Sequence, residues 1–139
     1  MKTEWLDEAH RRFGDREDVF QYVESPYGLW ANLHDVFKAA YTYPYNEADI
    51  RAIYEYSDWC CQQPRGETAA DDLLTVVAVS FTEHIPQIPA AVRDLPRWFK
   101  LDEILEMREI LSYHVGEQGF QSLIEAYPKS QRARIKKKS

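Results

Sequence analysis

The chain has 139 residues, 45% of them hydrophobic and 14% aromatic, which is enough to fill a core and excludes intrinsic disorder for most of its length. Its 17 basic and 23 acidic side chains give a formal net charge of −6, but six of the basic residues lie in the last twelve positions, where there is no acid. Removing those six leaves residues 1–127 with 11 basic and 23 acidic side chains, and this net charge of −12 argues against binding to phosphate backbones, which requires lysine and arginine.

Length and composition predict a single α-helical domain at residues 1–127, followed by a flexible basic tail at residues 128–139. No apolar run follows the N-terminal lysine, so we expect no secretory signal. The longest nearly apolar stretch, residues 73–81, is far shorter than the ~20 residues of a membrane span. We therefore expect no membrane insertion. Adjacent cysteines in a helix do not easily bridge to each other, so Cys60 and Cys61 favour a reduced, cytoplasmic protein.

Helix start and stop signals divide the chain into predicted helices. Gly14 ends the first helix, and Ser25 followed by Pro26 caps the second. Asn46 with Asp49 forms a variant capping box at the start of the third. The six predicted helices, apart from one further turn at residues 90–95, span residues 3–13, 26–42, 46–63, 68–84, 98–115 and 118–127.

The fourth predicted helix contains the run LLTVVAVSF, which is apolar on every side. A run of this length is also compatible with a buried strand, but Thr68 as a cap, with Asp71 and Asp72 in the first turn, favours a helix. A helix that is apolar all round belongs at the centre of a bundle. We therefore predict an all-α fold: a compact bundle of five to six helices around residues 73–81, with a short helical-repeat-like stack as the alternative arrangement.

The fifth predicted helix places Arg108 in the middle of an apolar face. A guanidinium there keeps its charge and needs a carboxylate partner, and Glu83 at the end of the fourth helix is the nearest unusual acid. We predict a Glu83–Arg108 ion pair in or near the core. Two interpretations remain open: a structural salt bridge, or one wall of a ligand pocket.

Glu83 and His84 raise the possibility of a metal site with one of the other histidines, but no HExxH, CxxC or paired ligand spacing is present. A histidine near a helix C-terminus is accounted for by the helix dipole. Two core-facing thiols on a helix are accounted for by packing. The sequence therefore predicts no catalytic residue, no metal and no cofactor.

Two acidic surfaces lie on predicted helices, beside a cluster of tyrosines in the loop after the second helix. Acids on a helix face often serve solubility alone. Exposed tyrosines flanked by acids are, however, good anchors for a basic protein partner. The predicted partner-binding residues are Tyr41, Tyr43, Tyr45, Glu47, Glu55 and Asp58 as first choice, and Asp102, Glu106 and Glu109 as second.

A packing pattern over residues 29–125 resembles a family of small, uncharacterised, all-helical bacterial proteins, some of which look like immunity proteins encoded beside polymorphic toxins. This resemblance implies a cytosolic all-α binding protein and supplies no catalytic residues. The residues that carry it are Ile50, Ile53, Tyr54, Tyr56, Trp59 and Cys60, the run at 74–79, and Phe81, Glu83 and His84.

The sequence thus favours a non-catalytic protein-binding module, an immunity-type inhibitor that binds and neutralises a basic toxin domain through an acidic, tyrosine-rich surface. The alternative is an enzyme or small-ligand sensor with a pocket around Glu83, His84 and Arg108. A third possibility is contact between the basic tail and RNA or anionic lipid.

Overall fold

A computed structural model describes residues 3–138 of the chain, with side chains described as far as residue 133. Within this part of the chain there are ten α-helices, two short 3₁₀ helices and no strand, so the prediction of an all-α fold is confirmed. None of these helices is both long enough and apolar enough to cross a membrane. The chain forms two compact units, one ending at Phe81 and the other beginning at Thr82, where the sequence predicted one domain.

The first unit contains five helices. α3 packs against α2, α4 and α5, and α4 also packs against α1 and α5. The helices are α1 (Glu4–Phe13), α2 (Glu17–Phe20), α3 (Pro26–Ala40), α4 (Glu47–Cys61) and α5 (Leu73–Ser80).

The two long helices of this unit begin where the sequence predicts. The Ser25 hydroxyl accepts a hydrogen bond from the Gly28 amide at 3.3 Å, and Pro26 occupies the first helical position of α3. Asn46 accepts one from the Asp49 amide at 3.1 Å at the start of α4. These side chains satisfy amides that a helix N-terminus leaves without partners.

The centre of the first unit is aromatic. Trp30, Phe37, Tyr56 and Phe81 are each at most 1% exposed. The Phe81 ring lies 5.0 Å from Trp30 and 4.8 Å from Phe37, and Trp30 stacks on Tyr56 at 5.5 Å. Each such pair contributes about 0.5–1.5 kcal/mol beyond its buried area. These rings tie α3 and α4 to the residue that follows α5.

The run at residues 73–81, predicted to lie at the centre of the bundle, is buried only in part. Val76 and Val77 of α5 are buried, but Val79 is 40% exposed. An eight-residue helix presents only about two turns. Phe81, at the end of the run, joins aromatic side chains from α3 and α4 in the centre.

The start of α5 also differs from the prediction, because the helix begins at Leu73 and not near Thr68. Asp71 accepts hydrogen bonds from the Thr68 amide and hydroxyl in a separate turn. Asp72 is 3% exposed and accepts from the Arg65 guanidinium at 2.8 and 2.9 Å.

Asp72 closes the loop between α4 and α5. It also accepts from the Gly66 amide at 2.9 Å and from the Thr75 hydroxyl at 2.5 Å. Gly66 approaches the Asp71 carbonyl so closely that a Cβ would lie 2.4 Å from its oxygen, which explains the glycine at this turn. The hydrogen bonds from Arg65, followed by those from Thr75 and Gly66, hold the pKa of Asp72 far below its usual range.

The second unit is built from shorter elements. Two of its prolines lie in or at the start of a helix: Pro86 is inside the first 3₁₀ helix, and Pro89 occupies the first position of α6. The elements are a 3₁₀ helix (Thr82–Gln87), α6 (Pro89–Asp94), a second 3₁₀ helix (Leu95–Arg97), α7 (Leu101–Glu106), α8 (Arg108–Ser112), α9 (Gly116–Glu125) and α10 (Lys129–Lys138). Its core is formed by Ile85, Leu95, Ile104, Leu111 and Phe120.

The predicted fifth helix is divided at Met107 into α7 and α8. Met107 has a ψ of 20°, outside the helical region, although residues 101–115 contain neither glycine nor proline. The interruption therefore has no signal in the local sequence. Because of this interruption, the residues after Met107, including Arg108, do not continue the helical face of α7.

The basic C-terminal segment is helical from Lys129 to Lys138, where the sequence analysis expected a flexible tail. The Pro128 carbonyl accepts from the amides of Gln131 and Arg132, which begins the helix. Lysine, arginine, glutamine and alanine have high helix propensity, so this segment favours a helix despite its charge. α10 contacts α7.

Truncating Phe37 to alanine is expected to lower the free energy of unfolding by about 3–5 kcal/mol, because the ring is fully buried among other rings. Urea denaturation of the wild type and Phe37→Ala measures this. Tyr43→Ala is the matched control, since Tyr43 is 87% exposed and its truncation should change stability by only about 0.5 kcal/mol. Equal losses in the two variants would contradict the aromatic core.

Asp72 is expected to make the stability depend on pH below about pH 5. A carboxylate whose pKa is lowered by folding stabilises the fold above its unfolded pKa of about 3.9, and this contribution is lost as the pH falls towards the folded value. Melting temperatures of Asp72→Asn should therefore fall less steeply than those of the wild type between about pH 5 and pH 2. Asp35→Asn, at an exposed position on α3, is the control. Parallel curves for Asp72→Asn and the wild type would show that Asp72 has no such role.

Candidate functional site

Glu83, His84 and His114 form a cluster in the second unit. One Glu83 carboxylate oxygen (Oε1) lies 3.0 Å from His114 Nε2 and 3.9 Å from His84 Nε2. The two imidazole rings stack with centroids 4.6 Å apart and planes 22° from parallel. One potential ligand atom from each residue lies within 4.8 Å of the others. The sequence predicted no metal site here, because it contains no paired ligand spacing.

The cluster is supported by buried neighbours. Glu83 and His84 belong to the 3₁₀ helix Thr82–Gln87, which packs against α8. Ile85 from that segment is 1% exposed, and Leu111, one turn before His114, is fully buried. These two apolar anchors fix the backbone on either side of the cluster. Gln87 Oε1 lies 3.1 Å from His84 Nδ1, which holds the His84 ring in place.

The cluster remains accessible to solvent. The side chain of Glu83 is 15% exposed, and the side chain of each histidine is 28% exposed. Tyr113, which is 73% exposed, stands edge-on to His114 at 4.9 Å. A small ion or molecule can therefore reach the three ligand atoms from solvent.

The predicted Glu83–Arg108 ion pair is wrong. Arg108 donates hydrogen bonds to Glu117 at 2.6 and 3.3 Å, and Glu83 bonds to His114. The Arg108 side chain is 53% exposed, and its guanidinium lies 4.9 Å from the centre of the Phe120 ring. The division of the predicted helix at Met107 moves Arg108 off the apolar face and towards α9. The alternative pocket of Glu83, His84 and Arg108 thus loses its arginine and gains His114.

The tyrosine cluster is exposed only in part. Tyr43 and Tyr45 are 87% and 42% exposed, as predicted, but Tyr41 is 6% exposed and belongs to the core. Tyr41 follows Phe37 by one helical turn and packs edge-on against it at 5.1 Å, which continues the apolar face of α3. The rings remain linked, since Tyr45 lies 5.5 Å from Tyr41 and 6.2 Å from Tyr43.

The predicted acids of α4, Glu47, Glu55 and Asp58, are all exposed. Arginines from the N-terminal segment offset part of the charge on this helix. Arg12 lies 4.0 Å from Glu55, and Arg16 forms a paired contact with Asp49 at 2.7 and 3.2 Å. The sequence analysis missed these arginines because they lie far from α4 along the chain.

The predicted acids of α7 and α8 are exposed as well. Asp102, Glu106 and Glu109 make no ion pair with any residue whose side chain the structure describes. Their charges are therefore available to a partner. They belong to the second unit, whereas the tyrosines and the acids of α4 belong to the first.

The two cysteines differ in burial. Cys60 is buried, as predicted, whereas Cys61 is exposed and does not face the core. Desolvation raises the pKa of the Cys60 thiol to about 12 and that of Cys61 to about 11. Both thiols are therefore protonated at neutral pH, and the thiolate is the reactive form.

The first unit also contains a cleft of about 550 Å³ that the sequence analysis did not identify. Trp5, Trp59 and Pro64 supply apolar walls, and Glu4 and Glu67 supply carboxylates. Arg65, which is paired with Asp72, also lines the cleft, so the lining carries charges of both signs. The lining comes from segments that are distant in sequence, so no local pattern marks the cleft.

Comparisons with known proteins give no match, whether to a family model, to a curated protein or to a solved structure. The resemblance over residues 29–125 therefore stays a prediction. Function has to be inferred from the exposed surfaces and from the Glu83, His84 and His114 cluster.

The corrected position of Arg108 changes the expected effect of its mutation. Arg108→Leu should leave the melting temperature close to that of the wild type, because exposed ion pairs contribute little and leucine still packs on Phe120. Leu111→Ala is the comparison, with an expected loss of about 2–5 kcal/mol from the free energy of unfolding. An Arg108→Leu variant as unstable as Leu111→Ala would restore a core role for the arginine.

Proposed function

We propose that the chain is a non-catalytic protein-binding module of the cytoplasm, an immunity-type inhibitor that binds and occludes a basic toxin domain. The contact surface, called here the tyrosine–acid surface, consists of Tyr43, Tyr45, Glu47, Glu55 and Asp58. The observation that carries the proposal is the pair of exposed tyrosine rings, which pack on each other in the loop before α4, the helix that carries the exposed acids.

Exposed tyrosines are common anchors of protein interfaces, because the ring supplies apolar contact area and the hydroxyl a hydrogen bond. The Tyr45 ring packs on buried Tyr41 and on Tyr43. Contacts of this kind hold the rings before binding, so less side-chain entropy is lost when a partner covers them. Preordered anchors of this sort favour affinity without a conformational change.

The acids contribute mainly to the rate of encounter. Residues 1–127 carry a net charge of −12, which attracts a basic domain over several ångströms at low salt. Because Arg12 lies near Glu55, part of the local charge is already offset. Asp102, Glu106 and Glu109 form the second candidate surface.

The test uses the product of the neighbouring reading frame, expressed with and without this chain. Wild type should protect the host cell and bind that product with an affinity that falls as salt rises. Glu55→Lys with Asp58→Lys should weaken binding about tenfold or more, mainly through slower association, since reversed charges repel a basic partner. Surface plasmon resonance at two salt concentrations separates the association and dissociation rates.

Asp35→Lys with Glu24→Lys is the matched control, because it makes the same change of net charge at exposed positions outside the tyrosine–acid surface. Circular dichroism confirms that each variant is folded. Binding that ignores Glu55, Asp58 and salt but falls with Asp102→Lys and Glu106→Lys would move the interface to the second surface. Binding indifferent to both sets would refute an acidic interface.

A further inference from the structure

We propose that Glu83, His84 and His114 form a binding site for one divalent transition-metal ion of the zinc type. Two histidines and one carboxylate are the protein ligands of many zinc sites and of non-haem iron sites. Among the residues whose side chains are described, this is the one group of three potential ligands that lies close enough to share an ion. The site shares no residue with the tyrosine–acid surface.

The separations between the ligand atoms suit a shared ion. A tetrahedral zinc ion with bonds of about 2.0–2.1 Å holds its ligand atoms about 3.4 Å apart. The Glu83 oxygen lies 3.0 Å from His114 Nε2 and 3.9 Å from His84 Nε2, on either side of that value. The remaining separation is within 4.8 Å. A bound ion would replace the proton through which His114 Nε2 bonds to Glu83, and the three atoms would have to move towards that common separation.

The hydrogen bond from His84 to Gln87 prepares the histidine for this role. A histidine that binds a metal usually donates its other ring N–H to an oxygen acceptor, which fixes the ring and the tautomer. His84 Nδ1 lies 3.1 Å from the Gln87 side-chain oxygen, which accepts a hydrogen bond from the Nδ1–H tautomer. In that tautomer Nε2, the nitrogen on the side of Glu83, is the ring nitrogen that can bind a metal.

The surroundings preserve this arrangement. Glu83, His84 and Gln87 all come from one 3₁₀ helix that contains Pro86 and is anchored by buried Ile85. Ligands on short, anchored segments keep their geometry without a bound ion. Three protein ligands leave at least one coordination position for water or another small ligand, and the partial exposure of both histidines gives access to it.

His10 provides a natural comparison. It bonds to Asp15 at 3.1 Å and stacks on Phe20, with ring centroids 3.8 Å apart. It thus pairs an imidazole with a carboxylate, as His114 does, but among the described side chains no third ligand lies close enough to complete a group around it. We expect His10 to bind zinc much more weakly than the three-residue cluster.

The test is isothermal titration calorimetry of the full chain, made without an affinity tag and stripped of metal, with zinc sulfate. Wild type should bind one equivalent. Glu83→Gln, His84→Ala and His114→Ala should each weaken binding about a hundredfold or more, since loss of an outer partner such as Gln87 alone costs about 10–100-fold. Gln87→Ala should weaken it by a smaller factor. His10→Gln and Cys61→Ser should bind zinc as the wild type does.

A second measurement on the wild type does not depend on the folding of any variant. Zinc should shift the imidazole proton resonances of His84 and His114 and leave those of His10 and His34 unchanged. Cobalt in place of zinc should give the visible absorption of a tetrahedral or five-coordinate ion. No binding by the wild type, shifts at His10 or His34 in place of the cluster, or loss of binding in Cys61→Ser but not in His114→Ala would each overturn the proposal.

Discussion

Aromatic packing between α3, α4 and the residue after α5 is the interaction on which the first unit depends. Trp30, Phe37, Tyr56 and Phe81 fill its centre almost completely. The buried apolar face of α3 ends with Tyr41, which packs on Phe37, and the chain after it lies at the surface. Tyr43 and Tyr45 are consequently exposed, and they are ordered by contact with Tyr41 and with each other. The candidate interface is thus an extension of the core packing.

Ion pairs with arginine offset part of the acidic charge of the chain. Arg16 binds Asp49, Arg65 binds Asp72, and Arg108 binds Glu117. Asp49, Asp72 and Glu117 therefore already have partners within the chain. Asp102, Glu106 and Glu109 are not ion-paired with any described side chain, whereas the charge of Glu55 on α4 is partly offset by Arg12. The net charge of residues 1–127 therefore acts through particular surfaces, and we infer that these surfaces decide which partner is attracted.

The cluster of Glu83, His84 and His114 has a different origin. Two of its members are neighbours in a 3₁₀ helix, while the third follows α8, about thirty residues later. Packing of Ile85 and Leu111 beside the cluster brings the two segments together. The cluster shares no residue with the tyrosine–acid surface, so metal binding at the cluster and partner binding at that surface are independent of each other.

The sequence by itself determined the helical class, the capped starts of α3 and α4, and the exposure of Tyr43, Tyr45 and the acids. These features depend on local hydrogen bonds and on helical periodicity, which short segments carry. Only the tertiary structure decided the partner of Arg108, the burial of Tyr41 and the meeting of Glu83 with His114. Each of these depends on where a helix breaks or which segment packs beside it. The interruption at Met107 has no local signal in the sequence. Packing between residues distant in sequence places Arg108 beside Glu117 and His114 beside Glu83.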